Sequence, residues 1–104
     1  MVPREPMKSL ENLFSESRQV PVMALAPMQD ITDLPFMNLI EQYGGPDLWY
    51  TEYFRVHSTS SLDKPILRSI VENRSGKPIV AQMIGNDIPA MIQTAKRLVT
   101  YPVA

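Results

Sequence analysis

Four polar side chains carry the chemistry open to this chain: Gln29, Glu52, the lone His57, and Gln82. Gln29 follows the run Ala24-Leu25-Ala26-Pro27-Met28, Glu52 falls toward the end of Leu48-Trp49-Tyr50-Thr51-Glu52-Tyr53, and Gln82 lies in Ile79-Val80-Ala81-Gln82-Met83-Ile84-Gly85. A carboxamide donates and accepts hydrogen bonds, whereas an ionised carboxylate only accepts them. Such groups bind and orient a polar ligand without attacking it. For Gln82 the residue type allows two uses, a grip on a ligand or a bond to the backbone of a neighbouring strand. For Glu52 the choice is between organising polar contacts and simple solvation. His57 has no cluster of companions that would make a triad or a metal site, so a surface or loop role and no metal are expected. Cysteine is absent, which removes disulfides, thiolate ligands and a thiol nucleophile from these residues.

For these groups to meet, three strand ends must reach one side of a sheet. Residues 20–26 are almost wholly apolar without alternation, the pattern of a strand covered on both faces, as in a parallel sheet. Thr32 or Asp33 then suits a helix N-cap, Pro35 fits the first turn, and Phe36, Leu39, Ile40 and Tyr43 share a face. Gly44-Gly45-Pro46 ends that helix. Residues 48–53 read as a second short strand, with Glu52 arriving at its carboxyl end. The segment 54–73 is less regular, with a helical turn through Ile66, Leu67 and Ile70. A third buried strand is expected over 77–85, followed by a helix capped by Asn86 or Asp87 whose apolar face holds Met91, Ile92, Ala95 and Leu98. Before all of these, residues 1–19 form a polar lead-in with a short helix over 9–14.

Strands alternating with helices predict βα units, hence an α/β fold with a parallel sheet whose ligands sit at the carboxyl edge. An open sheet and the first part of a (β/α)8 barrel both fit, but a barrel takes about 250 residues. At 104 residues, the chain would be a truncated barrel, its first three βα units. Ten Lys and Arg against eleven Asp and Glu give no electrostatic bias toward nucleic acid, and Arg55, Arg68, Arg74, Lys77, Lys96 and Arg97 are read as solvated surface. No apolar run approaches the roughly 18 residues that span a bilayer, and no signal-peptide core is present, so a cytoplasmic protein without a membrane is expected.

Leu25-Ala26-Pro27-Met28, Thr32-Asp33-x-Pro35-Phe36, Thr51-Glu52 and Ala81-Gln82-x-x-Gly85 follow in this order. On these four pieces, residues 20–98 resemble the N-terminal part of the tRNA-dihydrouridine synthases. The resemblance implies an FMN-dependent TIM barrel followed by a smaller helical domain, an oxidoreductase that reduces a uridine of tRNA to 5,6-dihydrouridine with hydride from NADPH. It implies FMN contacts at Pro27, Met28 and Gln29, where the chain leaves strand one, and at Gln82. These types suit an isoalloxazine, an apolar plane edged with carbonyls and ring nitrogens: backbone N–H groups and a carboxamide can fix its polar edge, and Met28 offers a polarizable surface.

Two departures from the family pattern stand out. Asp30 occupies the place where many members have glycine, which permits close approach or positive φ. The catalytic cysteine that the resemblance implies, in an Asn-x-Gly-Cys-Pro motif after strand four, is expected beyond Ala104. The 104 residues alone are therefore expected to be inactive, and to self-associate through an uncovered sheet edge. Two alternatives remain open at the level of sequence: part of another FMN-dependent TIM-barrel oxidoreductase, and a small non-catalytic α/β binding module.

Overall fold

The three longer helices begin alike, with an aspartate, one residue and then a proline: Asp33-Leu34-Pro35, Asp63-Lys64-Pro65 and Asp87-Ile88-Pro89. Each aspartate is an N-cap in extended conformation whose carboxylate accepts the backbone N–H three residues on, Phe36 at 3.0 Å, Ile66 at 3.2 Å and Ala90 at 3.0 Å. The prolines sit in the first turn, where a missing N–H removes no helical bond. The computed structural model describes residues 10–14 and 19–104. Within it the order is α1 (Leu10–Leu13), β1 (Ala24–Leu25), α2 (Leu34–Gln42), β2 (Leu48–Arg55), α3 (Lys64–Val71), β3 (Ile79–Ile84) and α4 (Ile88–Leu98). The rest of the expected lead-in, residues 1–9 and 15–18, lies outside the described residues.

The strands pair in parallel in the order β1-β2-β3, as the alternation of strand and helix requires. The expected α/β class is present. Strand one is much shorter than its apolar run: only Ala24 and Leu25 pair with β2, Ala24 is exposed and Leu25 half-buried. Pro21 has no N–H for a ladder, and Met23 bonds the Asp47 side chain and backbone instead. Segment 54–73, read as irregular, contains the full two-turn helix α3. In β3 only Ile79 is fully buried, and Lys77 lies outside the strand in an ion pair with Glu41.

One core joins the sheet to the helices: Trp49, Phe54 and Ile79 pack with Met37 of α2, Ile70 of α3 and Leu98 of α4. On α2 the buried stripe is Leu34 and Met37 with Ile40 alongside. Leu39 and Tyr43 of the expected face are exposed, Tyr43 to 84%. Two apolar stripes run side by side on this helix, and the one that meets Trp49 is buried. On α4, Leu98 is buried, Met91 and Ala95 are half-buried, and Ile92 faces out.

The β2–β3 ladder slips once. Tyr50 pairs with Val80 and Tyr53 with Gln82, so two residues of β2, Thr51 and Glu52, face one of β3. This is a β-bulge. It lets Trp49 and Phe54, an odd number of residues apart, both enter the core, opposite Ile79 and Met83. The intervening pairs, Tyr50 with Val80 and Tyr53 with Gln82, then belong to the face turned away from the helices.

Candidate functional site

The β1–α2 loop, 26–33, is wound on itself at the carboxyl edge of the sheet. The Met28 carbonyl accepts the N–H groups of Ile31 and Thr32, and the Thr32 hydroxyl accepts the Met28 N–H at 2.8 Å. Thr32 is 1% exposed, so its role is to pin the loop, while Asp33 caps the helix. The Met28 N–H is therefore spent inside the loop. Its side chain remains 40% exposed, Pro27 is half-buried, and Gln29 and Asp30 face solvent.

Asp30 has φ +63°, the one described non-glycine residue in the left-handed region. An aspartate tolerates this conformation better than most residues because its short polar side chain bonds locally. The loop thus keeps the backbone shape that glycine would give. The Asp30 N–H donates to a Glu52 carboxylate oxygen. Glu52 is not at the end of its strand, which runs on to Arg55; it sits in the bulge. Burial holds its carboxyl above the ordinary value, against the lowering bond from Asp30, and the charges of Asp30, Asp33 and Asp63 push the same way as burial.

Tyr53, next to Glu52, links the loop to the third strand. Its hydroxyl donates to Gln29 Oε1 at 2.8 Å, its ring lies 5.3 Å from the Arg55 guanidinium carbon, and its backbone is in register with Gln82. Gln82 is half-buried. Its Nε2 donates to the Thr51 carbonyl at 2.7 Å and its backbone N–H to the Thr51 hydroxyl at 3.2 Å. Of the two uses open to Gln82, the bond to a neighbouring backbone is made. Its Oε1, and the Gln29 Nε2, have no hydrogen-bond partner among the described residues.

A cleft of about 560 Å³ opens beside these groups, lined by Gln29, Asp30, Glu52, Tyr53, Arg55 and His57 with the β2–α3 loop. Pro27, Met28 and Gln82 do not line it. Asp30, Glu52 and Asp63 against Arg55 give it an excess of negative charge, so it disfavours phosphate and favours hydrogen-bond donors. His57 is exposed, its Nδ1 3.2 Å from the Thr59 hydroxyl. No three His, Asp or Glu side chains among the described residues are grouped to hold a metal ion.

The family model described as Dihydrouridine synthase (Dus) matches residues 24–103, from β1 to just past α4. The chain belongs to the dihydrouridine synthase family. It is 33% identical over 78 residues to the probable tRNA-dihydrouridine synthase 2 of Bacillus subtilis, covering 73% of this chain and 24% of the relative. To the tRNA-dihydrouridine(16) synthase of Pseudomonas putida it is 33% identical over 79 residues, 70% of this chain and 24% of the relative. A probable tRNA-dihydrouridine synthase of Staphylococcus aureus is 38% identical over 48 residues, 46% of this chain and 14% of the relative. The chain thus spans about a quarter or less of the length of these curated relatives. No solved structure matches it significantly.

The family match takes in Pro27, Met28, Gln29, Glu52 and Gln82. Sequence reasoning missed Thr51 and Tyr53 as parts of this edge. Thr51 stood in the Thr51-Glu52 motif, but nothing in its type announced a bulge.

Proposed function

We propose that residues 20–104 are the N-terminal part of an FMN-binding (β/α)8 barrel of a tRNA-dihydrouridine synthase, with 1–19 as a lead-in. The observation that carries this reading is the convergence of the Pro27-Met28-Gln29 loop and Gln82 on either side of Tyr53, at the carboxyl edge of a parallel sheet, in a chain of this family. That edge is where such folds bind their ligands.

The residues fit the ring of a flavin better than its phosphate. Met28 offers exposed polarizable surface, Gln29 an uncommitted N–H donor and Gln82 an uncommitted acceptor, matching the alternating donors and acceptors of a pyrimidine-type edge. The carboxylates of the neighbouring cleft oppose a phosphate. Bound FMN supplies hydride transfer, originating from NADPH, to a uracil ring of tRNA. This chain's Met28, Gln29 and Gln82 would hold and orient the flavin ring, and Glu52 holds the loop through the Asp30 N–H. The proton donor implied by the resemblance is a cysteine, and these 104 residues contain none; alone they form no dihydrouridine. A cytoplasmic location belongs to the same reading, and no described helix is long and apolar enough to cross a membrane.

The test uses the full-length polypeptide that carries this sequence. It should retain flavin, seen by its visible absorbance, and with NADPH and unmodified tRNA it should form dihydrouridine, detected by mass spectrometry. Flavin retention without tRNA reduction would favour another FMN-dependent oxidoreductase, and absence of flavin would favour a binding module.

A further inference from the structure

We infer that Thr51 is the positioning residue of this edge, holding the Gln82 carboxamide in one orientation. The inference rests on the proposed flavin site. The bulge sets two residues of β2 against one of β3 next to Gln82, and the Thr51 hydroxyl accepts the Gln82 N–H at 3.2 Å. The same hydroxyl donates to the Glu52 carbonyl at 2.8 Å. With one donor and one acceptor role filled at 0% exposure, the hydroxyl is locked by its own bonds.

The Thr51 carbonyl then accepts Gln82 Nε2 at 2.7 Å. A flipped carboxamide would set Oε1 against that carbonyl, two acceptors with no hydrogen between them, so only one orientation is compatible with the strand. The Nε2 end is held on β2 and Oε1 is left for a ligand. A side chain fixed before binding loses no rotamer freedom on binding, which raises affinity without adding a contact. Thr51 touches no ligand in this scheme and acts wholly through Gln82.

The experiment compares FMN dissociation constants, by flavin fluorescence, for the full-length native protein, Thr51→Val, Thr51→Ser, Gln82→Ala and the Thr51→Val/Gln82→Ala double variant. Thr51→Val keeps the carbonyl that holds Gln82 Nε2 but loses the hydroxyl that fixes this stretch of β2 against the Gln82 N–H. The carboxamide should then be less firmly placed and FMN bound about two- to tenfold more weakly, while Thr51→Ser should stay within about twofold because it keeps the hydroxyl. In the Gln82→Ala background, Thr51→Val should cost nothing further. An equal cost with and without Gln82 overturns the inference while leaving the flavin reading intact. A second measurement needs no variant: in ¹⁵N-resolved hydrogen exchange, a Gln82 side-chain N–H should be protected relative to those of Gln29, and exchange of both at the same rate overturns the inference. If the native protein binds no FMN, the flavin reading fails, and the exchange measurement still decides the role of Thr51.

Discussion

The backbone N–H of Asp30 donates to the carboxylate of Glu52, tying a left-handed residue of the β1–α2 loop to the bulge of the neighbouring strand. The Pro27-Met28-Gln29 turn is thereby anchored from outside as well as by Thr32 within it. The loop's shape and the strand's irregularity are fixed together.

Asp30→Gly should leave stability unchanged or raise it by up to about 1 kcal/mol, since glycine takes positive φ without steric cost but gives up more freedom on folding. Asp30→Val should cost about 1–2 kcal/mol or more, because a β-branched residue is strained in this region. Urea denaturation of both variants checks the pair; a valine variant as stable as the glycine one would contradict the left-handed loop.

Glu52 should leave a mark on the pH dependence of stability. Its carboxyl is raised above the ordinary value, first by burial. Between the ordinary and the raised value the folded state binds more protons than the unfolded chain, so stability falls as pH rises through that window. The contribution is fully present below the ordinary value and lost above the raised one. Glu52→Gln keeps an oxygen to accept the Asp30 N–H and does not titrate. Denaturation midpoints of the native protein should therefore fall relative to this variant as pH rises through the window, and parallel profiles would refute the raised value.

The three Asp-x-Pro helix starts should each weaken when the cap is lost. Asp33→Ala, Asp63→Ala and Asp87→Ala should cost about 1 kcal/mol apiece, and the asparagine variants only a few tenths, because asparagine still accepts the orphan N–H. Denaturant titration of the six variants measures this. Equal losses for alanine and asparagine would mean that charge rather than capping is responsible.

Gly85→Ala should destabilise the carboxyl edge itself. A Cβ there would stand 2.4 Å from the Val56 carbonyl oxygen and 3.1 Å from Met91 Sδ, and Val56 is held to β3 through its N–H to the Ile84 carbonyl at 2.8 Å. The nearer obstacle is backbone and cannot swing aside, so the cost should be about 1–3 kcal/mol. A thermal melt that is unchanged by the substitution would show that the two strand ends are freer than this contact implies.

The parallel α/β class, the cap at Asp33 and the helix start at Asp87 were legible because local chemistry decides them: a short acidic side chain followed by proline fits a helix start wherever it occurs. Asp63-Lys64-Pro65 carries the same signal, and of α3 only a helical turn through Ile66, Leu67 and Ile70 is legible, because the helix is short and follows a run of serines and threonine that reads as irregular. The short β1 and the buried stripe of α2 were not legible, since both depend on which neighbour the element meets rather than on its own period. In the site, Gln29, Glu52 and Gln82 could be singled out by type. Thr51 and Tyr53 could not, because their importance comes from a shift of register between two strands, and register is a property of pairs.

The extra residue of the β2 bulge serves the carboxyl edge rather than the core. Removing Thr51 or Glu52 would restore an unbroken ladder and look harmless on a diagram of hydrogen bonds. The core would also keep its register, since Trp49 and Phe54 would stand four residues apart and still share a face opposite Ile79 and Met83. The loss would fall on the carboxyl edge, in the Thr51 hydroxyl that meets the Gln82 N–H or the Glu52 carboxylate that takes the Asp30 N–H. A graft of this strand that is to keep the polar contacts of the bulge must carry Gln82 with it, since the Gln82 backbone and carboxamide both bond to Thr51.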